Sequence, residues 1–91
     1  MATTIINSHK VENFTKWKQG FEAGSSMREQ AGIKIKGVYQ SVDDENSVTV
    51  VSEVANADIA KAIFTAPAMR EAMEKNGVIS TDGIKILSQS F

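Results

Sequence analysis

The stretch IKIKGVYQSVDDENSVTVVSEV, residues 33–54, decides the fold. Apolar and polar residues alternate from Ile33 to Gly37, the period at which a strand sends successive side chains to opposite faces. The phase slips at Gly37-Val38-Tyr39, and a glycine at such a slip predicts a bulge. Asp43, Asp44, Glu45 and Asn46 have turn chemistry, and SVTVVSEV follows as a second β-branched run. Residues 33–54 are therefore read as an antiparallel hairpin.

Working outward, ATTIINS at residues 2–8 is short and β-branched and reads as a first strand. Val11, Phe14, Trp17 and Phe21 then recur at three and four, which places them on one face of an amphipathic helix beginning near Lys10 or Val11. Gly20 and Gly24 weaken that helix, so a kink is expected near Gly24, and Ser26 with Glu29 has the capping-box spacing that would restart it. Gly32 ends it. Beyond the hairpin, Asn56 is placed to cap a second helix through ADIAKAIF. TAPAMREAMEKNG restarts that helix with Thr65 as cap, Pro67 in the first turn and Gly77 as the stop, turning Met69, Ala72 and Met73 inward. TDGIKILSQ closes as a last strand. The order βαββαβ defines an α+β class, the ferredoxin-like arrangement, over one domain of residues 1–91: a four-stranded antiparallel sheet with two helices on one face.

Composition bounds what such a domain does. A chain of 91 residues buries only about 60–65% of its unfolded surface, so its own core is thin. Hydrophobic residues at 42% and charged residues at 23% fit a folded globular protein. A net charge of −1 offers no attraction to phosphate backbones or anionic lipid, so neither nucleic acid nor a membrane is an expected partner. The absence of cysteine removes disulfides, thiolate nucleophiles and zinc–thiolate sites together. MATTIINSHK lacks a basic start followed by a long apolar run, and a cytoplasmic protein is expected.

Both sheet faces carry apolar residues. Val48, Val50 and Val54 point one way in the third strand and Val51 the other; Ile5 and Ile6 divide similarly, as do Leu87 and the pair Ile84 and Ile86. A solvated face would show clean alternation instead. The face left bare by the helices is expected to be covered by a second copy, sheet against sheet, in a homodimer.

With these elements in place, the chain resembles the dimeric α/β-barrel superfamily, close to the small antibiotic-biosynthesis-monooxygenase-like proteins. The resemblance rests on V-x-N-F-x-K-W at the opening of the first helix, VDDEN in the hairpin and APAMREAMEKNGV in the second helix, and it spans nearly the whole chain. It implies a ferredoxin-like protomer dimerising into an α/β barrel, with a pocket between sheet and helices. Haem-degrading members use an asparagine on the first strand with a tryptophan and a histidine from the second half. Asn7 suits the first role, but residues 40–91 hold no Trp, His or Tyr, so haem degradation is not expected. Cofactor-free quinone-forming monooxygenases need only hold a phenolate and deliver protons. Asn7, Asn13, Trp17, Arg28, Tyr39 and Arg70 are side chains suited to that work.

The candidate catalytic residues are thus His9, Tyr39 and Asn7. His9 ends the first strand, where a side chain can face the pocket mouth, and Tyr39 sits beside the bulge glycine, which can re-aim it. Trp17, Phe21, Met27, Met69 and Met73 are the candidate pocket walls, although Trp17, at helical spacing from Phe14 and Phe21, reads first as a core residue. Arg70 reads as a surface residue. Asp43, Asp44 and Glu45 are sequential acids in a turn and make a poor metal site, so no metal is expected, and no cofactor. The function expected is binding of a small apolar or aromatic metabolite by a homodimer of unassigned activity. The alternative is a cofactor-independent monooxygenase, or related isomerase, acting on a phenolic or polyketide-like substrate.

Overall fold

The hairpin forms as the alternation requires. In the computed structural model, which describes residues 2–88 and Ser90, β2 (Lys34–Gln40) and β3 (Ser47–Val54) pair antiparallel, and their register slips between Ile35 and Gly37. The remaining elements are β1 (Thr3–Val11), α1 (Phe14–Ala23), α2 (Ser25–Gln30), α3 (Ala57–Thr65), α4 (Pro67–Lys75) and β4 (Val78–Ser88). The sheet order is β2-β3-β1-β4, antiparallel throughout, which is the ferredoxin-like α+β topology with each helix broken in two. Among the described residues no helix is long and apolar enough to cross a membrane.

Several boundaries differ from the sequence reading, each for a local reason. β1 continues through Val11, because Val11 pairs with Val78 of β4 and its N–H donates to the Asn46 carbonyl. The helix therefore begins at Phe14, where the Asn13 side chain accepts the Lys16 N–H at 3.0 Å. The three-and-four spacing from Val11 to Phe14 arose across an element boundary: the two residues meet in one cluster from opposite sides. The break at Gly24 occurs as expected, but α2 starts directly at Ser25 without a side-chain cap, so the Ser26–Glu29 box is not used. Thr65 does not cap α4. Ala66 fills that position with ψ 134°, the extended conformation a residue before proline is driven into, while Thr65 Oγ1 donates back to the Lys61 carbonyl at 2.7 Å. Asn56 caps α3 by accepting the Ile59 N–H at 2.9 Å. Gly32 and Gly77 hold φ of 77° and 81° and turn the chain from helix to strand, conformations that cost other residues strain.

Strand alternation sorts the side chains by face. On the helix side Ile5, Val48, Val50 and Val54 are buried, and they divide into two clusters. Val11, Trp17, Val48 and Val50 gather Phe14, Phe21, Ile35 and Val78 under α1. Ile5, Val54 and Ala60 gather the isoleucines of α3, with Ile84 and Ile86 of β4. On the other face lie Ile6, Val51, Tyr39 and Leu87 with no described element over them. Ile6 and Val51 are half-buried by strand neighbours, while Tyr39 and Leu87 are 58% and 41% exposed. Both faces are apolar, as expected from the strand sequences.

A buried polar pair on the central strand

β1 is a central strand, and its odd-numbered residues face the helices. Asn7 and His9 fall in that series between Ile5 and Val11, so the strand period that buries the isoleucine and valine also buries them. They are 8% and 3% exposed. Asn7 Oδ1 and both ring nitrogens of His9 are shut off from solvent and have no hydrogen-bond partner among the described residues. Such atoms are rare, because leaving a buried polar group unpaired costs about 1–3 kcal/mol. A neutral imidazole offers one donor and one acceptor, so His9 presents both, with an amide oxygen two residues away on the same face.

The aromatic wall of this site comes from α1. Asn13 starts the helix so that Trp17 falls over the sheet, with its ring centroid 5.7 Å from that of His9, 4.9 Å from Phe21 in a stack, and 5.8 Å from Phe14. Trp17 is 3% exposed and belongs to the core cluster. Desolvation by burial holds the His9 imidazole below its ordinary value, against an opposing pull from Asp82. Its resting form is thus neutral at pH 7, the form able to accept a proton. Elsewhere on α1, the Asn76 side-chain amide packs closely against the backbone at Gly20.

The structure brings together some of the sequence candidates and separates others. His9 meets Trp17, Phe21 stacks on Trp17, and Asn7 shares the buried strand face with His9 two positions away. His9 is not at a strand end, because β1 extends to Val11. Tyr39 pairs with Thr49 and lies over Gly37, on the sheet face away from the helices, so it does not reach His9. The bulge that was expected to aim it inward leaves it exposed. Met27 is 75% exposed on α2 and Met69 and Met73 are half-buried on α4. Of the other donors, Asn13 is used as a helix cap and Arg70 is exposed. Arg28 was the residue most undervalued by sequence. Its guanidinium lies 3.8 Å from the Phe21 ring centroid and donates to the Phe21 carbonyl, extending the stack His9–Trp17–Phe21 outward. The seven-residue spacing of Phe21 and Arg28 was the available signal. Among the described residues no three His, Asp or Glu side chains gather as a metal site.

The antiparallel β2-β3-β1-β4 sheet with its helices on one face defines a ferredoxin-like α+β fold. No family model and no curated protein matches the chain. Solved structures do. A provisionally assigned antibiotic biosynthesis monooxygenase from Bordetella bronchiseptica superposes with TM-score 0.80 at 12% identity, covering 99% of this chain and 98% of that one. SnoaB, a cofactor-independent oxygenase from Streptomyces nogalater, gives TM-score 0.76 at 12% identity over 99% and 94% of the two chains. A provisionally assigned monooxygenase of the same kind from Caulobacter crescentus gives 0.72 at 14% over 99% and 91%. At such identities the likeness establishes the fold.

Proposed function

We propose that this chain is a homodimeric, cytoplasmic α/β-barrel protein that binds a small aromatic molecule between sheet and helices, against Trp17 and within reach of Asn7 and His9. The observation that carries the reading is the set of three buried, unpartnered polar atoms on β1. A ligand hydroxyl would satisfy two of them, donating to Asn7 Oδ1 and accepting from the imidazole N–H, and a second polar group of the ligand would donate to the unprotonated ring nitrogen. The bare sheet face, with Ile6, Val51, Tyr39 and Leu87, is the surface a second copy would cover.

A second reading is favoured by the neutral state of His9 and by the likeness to a cofactor-independent oxygenase. A phenol bound at Asn7 and His9 would donate a hydrogen bond to the neutral imidazole and gain phenolate character, the electron-rich form that reacts with oxygen. The residues do no more than hold the phenol and share its proton.

Trp17 is the only tryptophan and lies in the site, so its fluorescence reports occupancy. Titration with mono-, di- and tricyclic phenols should quench it and raise the melting temperature with occupancy for at least one ring size, and Asn7→Ala and His9→Ala should weaken that binding ten-fold or more. No quench across the series would overturn the binding reading. Oxygen uptake above the phenol's own autoxidation rate, reduced ten- to a thousand-fold by His9→Ala, selects the oxygenase reading over simple binding.

A further inference from the structure

A cleft lies between α2 and the start of β2, away from His9 and Asn7. It has a volume of about 510 Å³ and is walled by Ser25, Arg28 and Glu29 of α2 and by Ile33, Lys34 and Ile35 leading into β2. Arg28 is half-buried there, and among the described residues no carboxylate lies within 4 Å of it. A guanidinium has five N–H donors, of which one is given to the Phe21 carbonyl. Desolvation by burial already lowers its proton affinity, and the Phe21 ring beneath it is its one electrostatic compensation apart from that carbonyl. A partly buried arginine without an acidic partner among the described residues, set beside two half-buried isoleucines, is an incomplete arrangement that a carboxylate with an apolar tail would complete. Lys34 adds a second cation against the single charge of Glu29.

We propose that this cleft binds a small amphipathic carboxylate, its oxygens on the guanidinium of Arg28 and its apolar part against Ile33 and Ile35. The site is independent of the reading of His9 and Asn7, from which Phe21 and Trp17 separate it.

The test is a titration of the wild-type protein with 3-phenylpropionate and its uncharged analogue 3-phenylpropionamide, followed by backbone amide shifts. The acid should move the resonances of Arg28 and of Gly32 to Ile35 and bind at least ten-fold more tightly than the amide, with salt weakening the acid alone. Ser25→Glu places a carboxylate one turn from Arg28 at an exposed position and should cut acid binding ten-fold while sparing the amide. Arg28→Gln should do the same. Because Arg28 also holds the end of α1, the Ser25 variant and the acid–amide comparison keep the outcome readable if Arg28→Gln loosens the helix. Equal affinity for acid and amide, shifts centred elsewhere, or acid binding unaltered by Ser25→Glu would each overturn the proposal. His9→Ala should leave this titration unchanged, so failure here and failure at the His9 site are told apart.

Discussion

Replacing Val51 by aspartate tests what covers the bare face. Val51 pairs with Ile6 in β1 and Gly37 in β2, in the odd-numbered series of β3 that faces away from the helices. In an isolated protomer the new carboxylate reaches water, so the cost is the strand preference for valine, about 1 kcal/mol or less. In a sheet-to-sheet dimer the same carboxylate is desolvated in both subunits. Lys36 is already engaged by Glu53 at 3.1 Å and does not supply a free counter-charge. An unpaired buried ion costs about 3–5 kcal/mol, so two copies weaken association by at least ~6 kcal/mol, more than 10⁴-fold in Kd. Sedimentation velocity at tens of micromolar should show wild-type dimer and Val51→Asp monomer, with far-UV circular dichroism unchanged at that concentration. A Val51→Asp protein that sediments as a dimer, or a wild type that sediments as a monomer, would refute the reasoning.

Trp17→Ala should cost about 3–5 kcal/mol of folding stability in denaturant melts, since it removes a ring packed on Phe14, Phe21 and His9; retention of full stability would show that Trp17 only lines a pocket. His9 contributes a pH dependence of definite sign. Its folded pKa lies below the unfolded value of about 6.5, so the unfolded chain binds more protons in between, and stability is full above about pH 6.5 and lost as pH falls toward the folded pKa. Wild type should therefore lose more stability than His9→Gln between pH 7.5 and 5.5 by urea midpoint; parallel losses would mean that the imidazole is not held neutral.

Strand period and turn chemistry are local, and they made the hairpin, the bulge at Gly37 and the stops at Gly32 and Gly77 readable from residues alone. The same period showed that both sheet faces are apolar, since Val51 and Val50 must point apart wherever β3 lies. Helix boundaries were less readable where a long-range contact competes with local spacing. Val11 belongs by pattern to a helix, yet pairing with Val78, 67 positions away in the chain, holds it in β1. The site divides along the same line. That His9 and Asn7 share a face follows from their separation of two, and that Trp17 and Phe21 stack follows from a separation of four. That His9 lies against Trp17, with no partner for its ring nitrogens among the described residues, depends on how α1 crosses the sheet. Tyr39 shows the limit most clearly: the bulge was legible in the sequence, but which side of the sheet the ring took was decided by pairing with Thr49 and by where the helices packed.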